Sequence, residues 1–209
     1  MKILIVHNFY RQAGGEDVVF REEVRLLESA GHLVVTMTAN NEEVVGGGAL
    51  GDGIRSVWNR AFAARVYETV KRHECEVAHF HNTLPVVSPA SLRAARRAGA
   101  AVVATLHNYR LVCPSATLFR DGQGCEACTK SAFPWKGVAS ACYRGSRLAT
   151  AAVGVTTLAH RLLGTWRNKV DRFIALTEFA KAKFALAGIP QSKVAVKPNF
   201  VAPLAVLFL

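Results

Sequence analysis

The chain has 209 residues, a hydrophobic fraction of 51% and a formal net charge of +11, from 26 basic and 15 acidic residues. That length allows one large domain or two small ones, with ample apolar content for a sizeable core. No apolar run reaches the roughly 18 residues a membrane-spanning helix needs, and the positive charge favours an anionic partner: a phosphorylated substrate, a nucleic acid or a membrane surface.

The chain opens on Ile3 to Val6, a short, β-branched apolar run that reads as a buried parallel strand. Met1-Lys2 leads straight into it, so no secretory leader is expected and a cytoplasmic location is. A loop ends in Gly14-Gly15, and a helical pattern from Glu16 to Ala30 follows, with Val19, Phe20, Val24 and Leu27 near one face and Gly31 as its C-cap. A glycine pair in a loop that opens a helix suits a nest of backbone N–H groups for a phosphate or another anion. The plainer alternative is that the glycines only permit a tight turn. Leu33 to Thr38 is the second strand, Asn40 to Gly53 a glycine-rich loop, and Ile54 to Arg72 one helix with Val57, Phe62, Val66 and Val70 inward. Val77 to Phe80 is the third strand, closed by His81-Asn82. A helix from Ser88 to Ala98 leads to the fourth strand, Ala101 to Leu106, closed by His107-Asn108. Tyr109 to Gly145 is a long irregular insertion with four cysteines. Ser146 to Lys169 reads as one long helix, Phe173 to Leu176 as a fifth strand, Glu178 to Ala187 as a helix, and Val194 to Val196 as a last strand before Lys197-Pro198-Asn199.

Strands alternating with helices predict an α/β fold, a Rossmann-like doubly wound parallel sheet of about six or seven strands. Ligands on such sheets bind beyond the carboxyl ends of the strands. Gly14-Gly15, His81-Asn82 and His107-Asn108 all follow strand ends, so they are expected along one rim. Neither a G-x-G-x-x-G fingerprint nor a Walker A sequence follows the first strand, which disfavours a nicotinamide dehydrogenase or a P-loop ATPase.

Five cysteines in such a chain are expected to be thiols or metal ligands rather than disulfides. Cys113, Cys125, Cys128 and Cys142 have the spacing C-x11-C-x2-C-x13-C. A C-x2-C pair with two flanking cysteines suits a tetrahedral structural zinc that would pin the insertion. Four ordinary thiols, or two disulfides formed on oxidation, fit the same residues. Cys75 is expected to be partly buried.

The opening strand with Gly14-Gly15, the segments Ala78-His-Phe-His-Asn82 and Thr105-Leu-His-Asn108, the segment Phe173-Ile-Ala-Leu-Thr177 before a helix, and Lys197-Pro-Asn199 together resemble the N-terminal domain of a family-4 retaining glycosyltransferase. The resemblance implies residues 1–200 as the acceptor-side half of a GT-B fold, with the insertion at 109–145 and residues 201–209 as the start of a linker or a truncated tail. It implies a nucleotide-sugar donor, a glycan or lipid-linked acceptor, no cofactor for catalysis, and inactivity without a C-terminal donor-binding domain. It assigns donor-diphosphate contacts to Gly14 and Gly15 and a donor-sugar contact to His107. His81, Asn82 and Asn108 are candidates for acceptor binding, and His81 and Asn82 equally for bracing His107. Thr177 and Glu178 open a helix near the domain boundary, where Glu178 fits simple stabilisation of the helix N-terminus. Lys197 is expected to be solvated.

A second function class stays open: a non-catalytic basic Rossmann-like module that binds an anionic membrane or nucleic acid. The apolar centre of the Ser146 to Lys169 helix, the arginines near its ends and Phe133-Pro-Trp-Lys136 suit peripheral binding at the inner face of a membrane, although burial against the sheet is the simpler reading. Nucleic acid is disfavoured, because no readout motif accompanies the charge.

Overall fold

A computed structural model describes residues 1–9, 14–40 and 48–200. Six strands form one all-parallel sheet: β1 (Lys2–Phe9), β2 (Leu33–Asn40), β3 (Val77–Phe80), β4 (Ala101–Leu106), β7 (Arg172–Ala175) and β8 (Val194–Val196). Their spatial order is β2-β1-β3-β4-β7-β8. The chain therefore starts inside the sheet, builds outward to β2, then crosses back and adds strands on the other side. This is the doubly wound arrangement that the alternating pattern predicts.

The two faces of the sheet differ. The period of two along a strand sends Leu4, Val6, Ala78, Phe80, Val102 and Ala104 to one side. There they meet α3 (Arg60–His73) through Phe62, Val66 and Val70, and α4 (Ala90–Ala98) through Leu92 and Ala95. Phe173 and Phe184, the latter from α7 (Glu178–Leu186), complete this larger core. The opposite side carries a smaller cluster, Ile3 and Ile5 against Phe20 of α1 (Gly15–Ser29), with Val24, Leu27 and Val77 beside it. Toward the strand carboxyl ends this second face turns from aliphatic residues to histidine.

Several boundaries depart from the sequence-based expectation, each for a local reason. The expected helix Ile54 to Arg72 is two helices, α2 (Gly48–Val57) and α3. Asn59 breaks them apart: its side-chain oxygen accepts the Phe62 amide at 3.0 Å, and its amide group donates to Val86 O at 2.7 Å. An asparagine with extended backbone makes a better N-cap than a helix interior residue. The expected glycine-rich loop Asn40 to Gly53 overlaps α2, and its residues 41–47 lie outside the described chain. The expected helix Ser146 to Lys169 is shorter, α6 (Arg147–Leu162), because Gly164 turns left-handed with φ 65° before a π-helical turn at Thr165–Lys169. Cys75 is buried rather than partly so. The linker expected at residues 201–209 also lies outside the described chain.

The insertion is less irregular than expected. It holds a two-stranded hairpin, β5 (Phe119–Arg120) with β6 (Gln123–Gly124), and a short helix α5 (Trp135–Ala139). Its Phe133-Pro134 corner lies on the middle of α6 at Gly154, where an added Cβ would sit 2.9 Å from Phe133 Cε2 and 3.0 Å from Pro134 Cδ. Glycine is needed there for that close approach. In an open helix interior Gly→Ala stabilises by about 1 kcal/mol. Here we expect the opposite sign. Gly154→Ala should destabilise by about 1–3 kcal/mol through overpacking, read as a lower urea midpoint at unchanged m-value. A variant as stable as the parent would show that the corner can move aside.

Candidate functional site

The carboxyl ends of β1, β3 and β4 are adjacent in the sheet. They bring Gly14-Gly15, His81-Asn82 and His107-Asn108 to one rim, as the strand-end positions imply. Tyr10 to Ala13, between β1 and the glycine pair, lie outside the described residues. Gly14 is the N-cap of α1 in ordinary extended backbone, and a Cβ at Gly14 or Gly15 would meet nothing within 4 Å. Neither a left-handed turn nor a close protein neighbour requires glycine at these two positions.

The helix start is not an empty nest. Asp17, buried in the first turn, accepts the Gly14 amide at 2.8 Å through Oδ2. Its other oxygen, Oδ1, lies 2.7 Å from His7 Nε2. A carboxylate can only accept, so the imidazole N–H donates. Asp17 thus ties the end of β1 to the start of α1. The Asp17 amide donates to Gly14 O at 3.1 Å, and the Gly15 amide belongs to the helix start, where N–H groups point away from the helix body.

Behind this turn four imidazoles share the α1 side of the sheet: His7, His79, His81 and His107. His7 stacks on Phe20 with ring centroids 4.9 Å apart, and His79 lies 4.4 Å from His81. His79 Nε2 lies 2.7 Å from Thr105 Oγ1. His81 Nδ1 lies 3.1 Å from His107 Nε2. The outer nitrogens His81 Nε2 and His107 Nδ1 are buried with no partner among the described residues, as is His7 Nδ1. Burial, the largest cause, holds these rings neutral. The His107 pKa falls to about 4 and that of His79 to about 3, with the cation of Lys197 adding to both. His81 is pushed well below its usual value by burial and by its neighbouring histidines. His7 is lowered by burial, against the opposing pull of Asp17. Sequence reading found His81 and His107 because they close strands. It missed His7, Asp17, Glu23 and His79, whose only signal is a polar residue at an inward strand or helix position.

Asn82 and Asn108 spend their side chains on the scaffold. Asn82 donates to Asn8 O at 3.0 Å and accepts the Leu84 amide at 3.1 Å. Asn108 donates to Glu16 Oε1 at 2.9 Å and accepts the Arg110 amide at 3.1 Å. Each fixes the loop that leaves its strand. Thr177 caps α7 by accepting the Ala180 amide, with Glu178 in the first turn. Lys197 is not merely solvated: its Nζ lies 2.9 Å from Glu23 Oε2 and 4.5 Å from the centroid of the Phe200 ring.

The four cysteines of the insertion line one cavity of about 10 Å³, along with Pro114, Arg120 and Gly137. They ring it rather than converge. The Cys113 thiol sits 3.1 Å from Ser115 Oγ, and burial raises the Cys128 thiol pKa, which favours the protonated form. Among the described residues no three His, Cys, Asp or Glu side chains form a group that could hold a metal ion. The expected structural zinc at Cys113, Cys125, Cys128 and Cys142 therefore gains no support from this arrangement. All five cysteines are free thiols. Packing of Val112, Ala116 and Leu118, and the ion pair of Glu126 with Lys183 at 2.6 Å, hold the segment instead.

The neutral histidines set an acid limit. Above pH 6.5 they are neutral whether the chain is folded or unfolded. Below it the unfolded chain takes up protons that the folded chain refuses, so stability falls as pH drops toward the folded values of about 4 and 3. Each such ring contributes a slope of about 1.4 kcal/mol per pH unit in that window. Unfolding midpoints measured from pH 7.5 to 4.5 should fall steadily, and the fall should shrink in His79→Leu. A flat profile would mean that these rings take up protons in the folded state.

Comparison with known proteins adds three results. A search among curated proteins finds no match. Among solved structures, HepE of Anabaena in complex with UDP is similar at 17% identity and a TM-score of 0.48, over 96% of this chain and 44% of that one. HepE with UDP-glucose gives 15% and 0.48, over 96% and 44%. A carbohydrate transporter of Acidothermus cellulolyticus in complex with myo-inositol gives 14% and 0.31, over 93% and 73%. The chain spans less than half the length of the HepE chains. The family model described as Glycosyltransferase Family 4 matches residues 13–203, nearly the whole chain, and the protein belongs to that family.

Proposed function

We propose that this chain is the acceptor-side half of a retaining glycosyltransferase that moves a sugar from a nucleotide-sugar donor to a glycan or lipid-linked acceptor. The supporting observation is the rim itself. A glycine pair with no structural need for glycine stands at a helix start, across from a histidine held neutral at the end of β4. Cleaving a nucleotide sugar leaves a diphosphate, whose growing charge is met by the positive N-terminal end of α1 and the Gly15 amide. Side chains at 14 and 15 would stand in the space the diphosphate approaches. A neutral His107 suits sugar hydroxyls, since its ring offers one donor and one acceptor. The resemblance assigns donor selection to a further domain outside these 209 residues.

The 209-residue chain alone should transfer no sugar at an appreciable rate. In the full-length protein, His107→Ala should lower kcat more than it changes KM, because the contact tightens in the transition state. Gly15→Ala should raise the donor KM while leaving stability within about 1 kcal/mol of the parent. Robust transfer by the isolated chain, or unchanged kinetics in both variants, would overturn the reading.

One observation favours a membrane partner as well. Leu148, Val155 and Leu162 recur every seven residues along α6 and are 82%, 47% and 77% exposed, and Trp135, on the α5 helix that packs against α6, is 72% exposed. Arg144, Arg147 and Arg161 are exposed around this stripe. No helix among the described residues is long and apolar enough to cross a membrane. An apolar stripe between arginines suits the surface of an anionic bilayer, at roughly 1 kcal/mol per basic residue in contact. Binding to anionic vesicles should weaken with salt and fall in Trp135→Ala. Equal binding to neutral vesicles, or none at low salt, would remove the membrane from the reading.

A further inference from the structure

We propose that His81 is a positioning residue that fixes the tautomer of His107, so that His107 presents an N–H donor from Nδ1 to an oxygen of the bound ligand. The inference rests on the glycosyltransferase reading only for the identity of that ligand.

The geometry leaves two arrangements. His81 Nδ1 and His107 Nε2 are 3.1 Å apart and share one proton. Each neutral ring carries a single N–H. If His81 donates, its Nε2 is bare and the His107 proton lies on Nδ1. If His107 donates, its Nδ1 is bare and His81 holds an N–H at Nε2. Either way one outer nitrogen is a donor and the other an acceptor, and neither has a partner among the described residues. Orphaned buried N–H groups are rarer than under-used acceptors. Residue exposure then decides where the orphan donor sits. His81 is 3% exposed, and its ring is enclosed by His79 and by Phe20 at 5.8 Å. His107 stands on the rim and is only partly buried. Both outer nitrogens are covered, but His107 is the less buried residue and lies at the rim. The costly unpaired N–H is therefore placed there, where a hydroxyl or phosphoryl oxygen that displaces the cover over Nδ1 can accept it. His81 donates from Nδ1 and keeps a bare nitrogen inside. The proton on His107 Nδ1 makes that atom a hydrogen-bond donor and not a base.

The test is long-range proton–nitrogen NMR on the 209-residue chain with 15N-labelled histidine at pH 7.5. It reads the tautomer directly and needs no sugar transfer. His107 should show a protonated Nδ1 and a bare Nε2. His81→Leu removes the donor and should convert His107 to a mixture of tautomers. His81→Asn, whose amide N–H stands near the place of Nδ1, should restore the single form. A wild-type His107 protonated at Nε2, or a His81→Leu spectrum identical to the parent, would overturn the proposal. If His81→Leu fails to fold, the wild-type spectrum decides alone. Failure of transfer in the full-length protein would instead overturn the functional reading and leave the tautomer result standing.

Discussion

Every strand of a parallel sheet ends on the same side. Here that constraint places β1, β3 and β4 side by side with their carboxyl ends at one rim, and β3 and β4 are each followed by a His-Asn pair. The crossover helices must pack on the faces, so the rim is left for chemistry. The same constraint divides the second face of the sheet. Its lower half buries Ile3, Ile5 and Phe20 as an ordinary core. Its upper half carries His7, His79, His81 and His107, which a core tolerates only if they are neutral and paired. Desolvation supplies the first condition. Asp17, Thr105 and the rings themselves supply most of the second.

This polar half is organised by side chains that are spent on the scaffold. Asp17 links His7, near the end of β1, to the glycine start of α1, so the helix cannot shift without disturbing His7. Asn82 and Asn108 do the same for the loops after β3 and β4. The parts that would touch a ligand are thus few and the parts that hold them are many. That division is expected where reacting groups must be fixed to within a fraction of an ångström.

Much of this was legible before any coordinates. The alternation of short β-branched runs with amphipathic stretches gave every strand of the main sheet, Val77–Phe80 and Ala101–Leu106 to the residue. Strand-end position placed His81 and His107 at the rim. Helix breaks were harder to see, because Asn59 and Gly164 act through a cap and a left-handed turn that leave the apolar period almost intact. The partners of the histidines were hidden for another reason. Asp17 looks like any acidic residue in a first helical turn, and only tertiary contact reveals that it faces inward. Cysteine spacing left a zinc site and ordinary thiols both open, and no group that could hold a metal forms among the described residues. Spacing describes how far apart thiols lie along the chain, not how close the sulfurs come in space.

The ion pair between Lys197 and Glu23 joins residues 174 positions apart, from the end of β8 at one edge of the sheet back to α1. A contact closing so long a loop becomes worthwhile only after the strands between have assembled. On loop-closure grounds it is expected to form late, after the transition state. Its loss would be felt in how quickly the native molecule comes apart, while the speed of assembly stayed the same. The pair would then act as a latch on the finished sheet, slowing its opening without changing its assembly.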